Sequence, residues 1–200
     1  AGSLCWRSNV VFTNNFFDDN YAQEHGGGIY FAGTIDQEVT IPLFNNTFHS
    51  NAAVASGASI YCSPTNANNF LLVNNIFWKN LAADEITVGL TNLAIYNCNI
   101  ELDSVNGEWE GLQNFREDPM LKSDGVIASN SPCINKGAKN IVAFGNAYNA
   151  PAHDIRRIMR PQGSKVDVGA YEVAYGKPDT LDYQDLARLY RIYVPGGPIN

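Results

Sequence analysis

The stretch NNTFHSNAA, Asn45–Ala53, decides the fold, because close variants of it occur twice more in the chain. Asn14–Ala22 reads NNFFDDNYA and Asn74–Ala82 reads NNIFWKNLA. In each copy a phenylalanine stands two positions after the second asparagine, and another asparagine follows three positions later. Glycine-led apolar segments, GGGIY at Gly26–Tyr30 and GASIY at Gly57–Tyr61, follow the first two copies. The chain is therefore predicted to consist of repeated units of about thirty residues.

Each unit is predicted to hold short β-strands. Runs such as NVVF, VTIPLF and FLLVNN are rich in β-branched and aromatic residues, and helix formers at helical spacing are scarce before the C-terminus. Asparagine tolerates the left-handed backbone of a tight corner, and its side-chain amide can both donate and accept. Equivalent asparagines of successive units are therefore predicted to bond to one another in a structural ladder formed by Asn15, Asn46, Asn75, Asn20, Asn51 and Asn80.

Composition narrows the choice of partners. The formal net charge of −7 disfavours a nucleic acid, and it makes an anionic glycan a less natural ligand unless a cation or a local basic groove compensates. No apolar run approaches the roughly 20 residues that span a bilayer, so no transmembrane segment is predicted. The cysteines show no metal-ligand spacing and are expected to be buried thiols, with Cys62–Cys98 as the first disulfide pair if the chain is exported; they are Cys5, Cys62, Cys98 and Cys133.

The repeats over residues 9–100 resemble those of right-handed parallel β-helix proteins of the pectate-lyase-like type. Further downstream, DPML, SPCINKGA, RP and DVGAYE are similar, in that order, to the closing segment of bacterial surface proteins of the choice-of-anchor Q type. The chain departs from that pattern at Asn135, where the family usually has an acid, and at Arg157, where it usually has glycine. The resemblance implies an exported bacterial protein, extracellular or at the cell surface and associated with the outer membrane, in a glycan-rich setting.

The expected fold is all-β: a right-handed parallel β-helix, or solenoid, with a loop-rich C-terminal cap and one short C-terminal α-helix. We assign the coils to 1–112, the closing segment to 113–176, and the helix and tail to 177–200. Apolar residues recur at helical spacing from Asp179 to Val194, which predicts the helix. The coils are expected to be the C-terminal part of a longer solenoid, or to be covered at their N-terminal end by an upstream chain or another subunit. An export signal is not present in this sequence and is expected to have been removed.

The units also predict an outward-facing row. Phe17, Phe48 and Phe77 share one register and are expected to stack inside. Alternation along a strand places the next residue on the opposite face, so candidate glycan contacts point outward. These candidates are Asp18, His49, Trp78 and the adjacent Lys79. A surface covered by a protein partner explains an outward tryptophan equally well.

A dense set of opposite charges lies in the closing segment, at Asp154, Arg156, Arg157, Arg160, Asp167 and Glu172. One interpretation is a lyase-like site, in which a base removes a proton beside a uronate carboxylate while a cation neutralises that carboxylate. The other is a structural clamp, in which Arg160 grips carboxylates and pins the closing segment onto the last coil. The histidines show no metal-ligand spacing, so no metal site or cofactor is predicted.

The resulting expectation is a non-catalytic glycan-binding or assembly module whose partner is a polysaccharide or a protein. The alternative is a polysaccharide lyase or glycoside hydrolase acting on an extracellular polysaccharide. Such an enzyme would need two or three titratable groups converging on one outward face, and the lyase would add a Ca²⁺ site. No catalytic residue is assigned from the sequence.

Overall fold

The described part of the chain is all-β. The computed structural model describes residues 2–33, 39–63, 68–89 and 92–174. Within these ranges the one helical element is a short 3-10 helix, Leu102–Ser104. The α-helix predicted between Asp179 and Val194 lies outside the described residues. No helix in the described ranges is long and apolar enough to cross a membrane.

Most strands belong to three parallel sheets, here called the first, second and third sheets. The first sheet contains, in spatial order, β1 (Ser3–Trp6), β5 (Ile29–Ala32), β9 (Ile60–Cys62), β12 (Ile86–Thr87) and β14 (Val105–Asn106). The second contains β2 (Phe12–Thr13), β6 (Thr40–Phe44), β10 (Asn69–Val73), β13 (Leu93–Tyr96) and β15 (Trp109–Glu110). The third contains β3 (Phe16–Asp18), β7 (Thr47–His49) and β11 (Ile76–Trp78). The predicted all-β chain with parallel sheets is thus confirmed.

Two smaller sheets complete the described strands. The strands β4 (Tyr21–Ala22) and β8 (Ala52–Ala53) pair in parallel. The strands β16 (Asn140–Ala143) and β17 (Asn146–Asn149) form an antiparallel hairpin in the closing segment.

Successive repeats lie side by side and in register. Phe17 pairs with Phe48 and Phe48 with Phe77, so equivalent positions of the sequence repeat meet in the third sheet. The first and second sheets continue beyond the three recognised copies, into strands at 105–106 and 109–110. A fourth and a fifth unit therefore follow the first three, although neither carries a recognisable copy of the repeated motif.

The core lies between the sheets and is made by alternate residues of each strand. In the third sheet, the rings of Phe17 and Phe48 stack at 4.7 Å and those of Phe48 and Phe77 at 5.0 Å, both nearly parallel. Ile29 and Ile60 of the first sheet and Leu72 of the second belong to the same buried cluster. Aliphatic and aromatic side chains packed in this way give the burial that holds the short strands together.

The corner between the second and third sheets is built on left-handed residues. Each unit has one there: Asn14, Asn45, Asn74, Asn97 and Gln113, with φ between 53° and 61°. A branched side chain is disfavoured in this region, whereas asparagine accepts it at little cost. This explains why the first asparagine of each pair recurs.

The closing segment runs along the units and covers two of the three sheets. The β16–β17 hairpin packs through Ala143 and Tyr148 onto Phe44 and Leu71, on the outward side of the second sheet. Ile127, Cys133 and Val168 pack with Ile76 of the third sheet. The segment was predicted to be pinned onto the last coil; its contacts extend further, from Phe115 of the fifth unit back to Asn14 of the first.

All four cysteines are buried free thiols, as the sequence suggested, and the alternative Cys62–Cys98 disulfide is not formed. Burial raises the pKa of Cys98 to about 12 and that of Cys133 to about 11. Both thiols therefore stay protonated at neutral pH.

Candidate functional site

Two inner columns of asparagines run across the first three units. In the first inner column, Nδ2 of Asn15 donates to Oδ1 of Asn46 at 2.9 Å, and Nδ2 of Asn46 donates to Oδ1 of Asn75 at 3.0 Å. The second inner column repeats the pattern through Asn20, Asn51 and Asn80 at 2.8 and 3.0 Å. In both columns the accepting Oδ1 also receives the backbone N–H of the preceding asparagine. Since these amides are satisfied within the protein, they are poorly placed to bind a glycan.

Both inner columns change residue type after the third unit. At the fourth unit Cys98 occupies the asparagine position of the first column, and the backbone N–H of Asn75 lies 3.3 Å from its Sγ. Asn114 restores the column in the fifth unit, where its Oδ1 accepts the N–H of Cys98 at 2.9 Å. The second column ends on the carboxylate of Glu85, which accepts from Nδ2 of Asn80 at 2.9 Å and from the hydroxyl of Ser59.

Glu85 is a partly buried acid at the end of this column. Loss of hydration raises its pKa from 4.5 to about 7, and the nearby charge of Glu101 adds to the shift. The bonds from Ser59 and Asn80 act in the opposite direction. Glu101 itself is paired with the guanidinium of Arg116.

The outer column, formed by the left-handed residues Asn14, Asn45, Asn74, Asn97 and Gln113, binds the closing segment. Nδ2 of Asn14 donates to the carbonyl of His153, and Nδ2 of Asn45 donates to the carbonyl of Asp167. Asn74 both donates to the carbonyl of Ala138 and accepts from its N–H, each at 2.8 Å. These asparagines thus hold the closing segment, a task that their spacing in the sequence did not reveal.

The three carboxylates of this charged set and Arg160 are buried. The guanidinium of Arg160 lies 2.9 Å from Oε2 of Glu172, and both side chains are fully inaccessible to solvent. Arg160 also donates to the carbonyls of Asp167 and Gly169, and to Oδ1 of Asn14 in the first unit. Burial raises the pKa of Asp167 and of Glu172. A polysaccharide cannot reach these buried groups, so the lyase-like interpretation has no accessible carboxylate base in this set, although Arg156 and Arg157 are exposed.

Asp154 completes the cluster by organising a turn. Its Oδ1 accepts the backbone N–H groups of Arg156 and Ile158, and its Oδ2 accepts that of Glu172. A buried carboxylate with three backbone donors fixes the path of the chain.

The predicted outward row is only partly open. Asp18, His49 and Trp78 share one register, and Nδ1 of His49 lies 2.7 Å from Oδ1 of Asp18. The indole of Trp78, however, packs against the cluster that the closing segment forms with Ile76. The patch over Trp78 is therefore covered by the chain itself, and of the four predicted glycan contacts only Asp18 and Lys79 are classed as exposed.

Ser50 gives this row a superficial likeness to a hydrolase site, because its hydroxyl lies 3.4 Å from Nε2 of His49. Acyl transfer also needs backbone donors free to bind an oxyanion. The N–H of Ser50 bonds to the carbonyl of Trp78, and that of Asn51 bonds to Asn80. The geometry thus offers no oxyanion donors at this serine.

The first sheet carries an aromatic surface on its outward side. Tyr30 and Tyr61 pair in adjacent strands, and their ring centroids are 5.2 Å apart. The ring of His25 stacks on Tyr61 at 4.2 Å, and its Nδ1 contacts the hydroxyl of Ser56 at 3.0 Å. Outward neighbours extend this surface to Leu4, Trp6, Thr87 and Asn106. We call this set, with the two tyrosines and His25, the tyrosine face.

Glycines make room for the tyrosines. Gly26 and Gly57 have φ of 69° and 66°, and a Cβ on either would lie within 3 Å of the Cβ of Tyr30 or Tyr61, respectively. The GGGIY and GASIY segments predicted strands, but the outward position of their tyrosines was not predicted. Tyr30 lies between the buried Ile29 and Phe31, and this alternation along the strand could have predicted that it faces outward.

The tyrosine face is open in the described part of the chain. The hairpin packs on the second sheet and the residues around Cys133 pack on the third, but no core cluster of described residues forms over the first sheet. Leu4 and Trp6, at one end of the face, are each 64% exposed. Contiguous exposed apolar surface of this kind is typical of an interaction site.

No family model, curated protein or solved structure matches the chain. The likeness to pectate-lyase-like and choice-of-anchor Q proteins therefore stays a prediction from the motifs. No group of three or more His, Cys, Asp or Glu side chains suited to a metal occurs in the described ranges.

Proposed function

We propose that the chain is a right-handed parallel β-helix module of an exported bacterial surface protein, and that it binds a glycan without chemical conversion. The in-register parallel pairing of successive units supports the solenoid. The observation that carries the binding function is the tyrosine face, because it is the outward side of a long sheet that the closing segment leaves open.

The chemistry of the tyrosine face suits a sugar. Aromatic rings provide flat apolar surface for the C–H faces of a pyranose, and tyrosine adds a hydroxyl at its rim. Ser56, Thr87 and Asn106 supply polar groups beside the rings. Asp84 lies at the same edge, where it accepts from the side chains of Thr87 and Asn106. Neutral and acidic neighbours favour an uncharged glycan on this face.

The binding proposal predicts a selective effect of the tyrosines. Tyr61→Ala and Tyr30→Ala should each weaken binding of a neutral oligosaccharide found by array screening at least tenfold, or about 1.4 kcal/mol. The control is Tyr21→Ala, which removes a tyrosine that is 63% exposed but lies on β4, outside the first sheet. Isothermal titration calorimetry measures the affinities, and thermal melts verify that the variants are folded.

Two results would contradict this proposal. Equal affinities for wild type, Tyr61→Ala and Tyr30→Ala would exclude the tyrosine face as the glycan site. Absence of glycan binding together with concentration-dependent association that Tyr61→Ala abolishes would favour the assembly function, in which the same face contacts a protein.

A further inference from the structure

A cleft lies where the fourth and fifth units meet the closing segment. Its lining includes Asn97 and Gln113 of the outer column, and Lys139 and Lys165 of the closing segment. Its volume is about 310 Å³. This lies near the lower end of the range for ligand pockets, roughly 300–1,000 Å³, and suits a ligand of the size of one sugar unit.

The charge of the cleft is opposite to that of the whole chain. Two of its lining residues are lysines and none is acidic, whereas the chain carries a net charge of −7. Neither lysine forms an ion pair with a residue in the described part of the chain. Cations without an ion-pair partner that line a concave site concentrate positive potential inside it.

Neutral donors accompany the lysines. Oε1 of Gln113 accepts from Asn97 at 2.9 Å, which fixes the amide of Gln113 with its NH₂ group directed away from that bond. Asn140 and Ser164 also line the cleft, and both are exposed. Lysine ammoniums combined with amide and hydroxyl groups are suited to a carboxylate or a phosphate carried on a polar molecule.

We propose that this cleft binds the anionic group of an acidic sugar unit, with Lys139 and Lys165 contacting a carboxylate or phosphate. The proposal is independent of the tyrosine face, which lies on the first sheet and has no lysine or arginine in its defined set. It provides the local basic groove that an anionic glycan needs on a protein of this net charge.

The cleft proposal is tested by ¹H–¹⁵N NMR titration of the 200-residue chain with glucuronate, glucose 6-phosphate, inorganic phosphate and glucose. The acidic sugars should shift the amides of Gly137–Asn140 and Ser164–Val166, and glucose should not. The double variant Lys139→Gln/Lys165→Gln should weaken this binding at least tenfold. Lys122→Gln, which changes an exposed lysine outside the cleft, should leave it unchanged.

The pattern of results identifies the ligand group. Binding of glucuronate alone assigns a carboxylate, and binding of glucose 6-phosphate alone assigns a phosphate. Equal binding of inorganic phosphate and both sugars would reduce the site to a general anion site and overturn the sugar part. Unchanged affinity in the double variant, or equal shifts with glucose, would overturn the proposal. The variant Tyr61→Ala should retain cleft binding, so failure of the cleft and failure of the tyrosine face can be told apart.

Discussion

The two asparagines of each NN pair bond in different directions. The first has a left-handed backbone and directs its amide outward to the closing segment, as Asn45 does to the carbonyl of Asp167. The second directs its amide along the stack of units, as Asn46 does to Asn75. A one-residue shift therefore separates a residue that holds a distant segment from one that joins neighbouring units.

Cys98 is the weak position of the first inner column. Sulfur is a weak acceptor, and Nδ2 of Asn75 is 3.8 Å from Sγ, compared with 3.0 Å between Asn46 and Asn75. Cys98→Asn should give Asn75 a stronger acceptor, whereas Cys98→Ala should leave the backbone N–H of Asn75 without one, while its Nδ2 keeps the bond to the carbonyl of Leu43. We expect the free energy of unfolding of Cys98→Asn to exceed that of Cys98→Ala by about 1–3 kcal/mol.

Urea denaturation with the slopes compared between variants measures this difference. Equal midpoints for the two variants would show that Asn75 does not need an acceptor at this position. Asn114→Ala tests the next bond of the same column, since it removes the Oδ1 that accepts the backbone N–H of Cys98.

Among the elements, the second inner column ends on the carboxyl group of Glu85. Asn20, Asn51 and Asn80 all donate in the same direction, and Glu85 accepts the last bond. A carboxylate without its proton can only accept, so it fits the end of such a chain of donors. Protonation would add a donor next to Ser59 and Asn80, which already donate to Oε1.

The pKa of Glu85 gives stability a specific pH dependence. Because the folded pKa of about 7 exceeds the ordinary value of 4.5, the folded protein binds this proton more tightly. The free energy of unfolding should therefore fall as the pH rises from about 4.5 to about 7, by roughly 3 kcal/mol from this residue. Glu85→Gln should remove this part of the slope.

The comparison uses denaturation midpoints of wild type and Glu85→Gln at several pH values. Asp167 and Glu172 also have raised pKa values and contribute to the slope of both proteins. The difference between the two curves isolates Glu85, and parallel curves would contradict the assignment.

For the whole molecule, the closing segment joins units that otherwise contact only their neighbours. Arg160 is central to this link, because it bonds to Glu172, to two carbonyls of the closing segment and to Asn14 of the first unit. Its Nε is the one buried side-chain nitrogen or oxygen without a hydrogen-bond partner in the described part of the chain. The arginine is therefore held by its terminal nitrogens.

Arg160→Ala should strongly destabilise the protein, since it leaves the buried carboxylate of Glu172 without its cation. The expected loss is about 3–5 kcal/mol in the free energy of unfolding. Arg116→Ala is the control, because Arg116 is 59% exposed and its partner Glu101 is 42% exposed. Its loss should be below about 1 kcal/mol.

Thermal melts and amide hydrogen exchange measure the effect. Exchange should accelerate most in the closing segment and at Asn14 and Asn45, which contact it. An unchanged melting temperature in Arg160→Ala, accompanied by lost glycan binding, would contradict the structural role.

The sequence predicted the parts of the fold that repeat. The in-register meeting of Phe17, Phe48 and Phe77 followed from the identical spacing of asparagine and phenylalanine within each copy, although the copies are 31 and 29 residues apart at the inner asparagine. The next intervals are 23 and 16 residues, and Cys98 replaces the asparagine, so the fourth and fifth units left no recognisable copy. The shorter units keep the hydrogen bonds of the first inner column, but the regular spacing of the repeated motif is lost from the sequence.

The candidate sites were harder to predict for a related reason. Trp78 was correctly placed in one register with Asp18 and His49, but the segment that packs on it lies some fifty residues later and leaves no periodic trace. The tyrosine face could have been predicted from the alternation of inward and outward residues along the strands. The basic cleft could not, since it combines outer-column residues with two separate loops of the closing segment.

The outer column also has a consequence for how the chain folds during synthesis. Neighbouring units can pair as each leaves the ribosome, but Asn14 must wait for His153 and Arg160, which follow it by 139 and 146 residues. Contacts at such sequence separation slow folding and keep intermediates exposed. The unit that contains Asn14 is translated long before the closing segment and is therefore among the last to gain its full set of bonds, and a nascent chain would present Asn14, Asn45 and Asn74 to chaperones until the closing segment arrives.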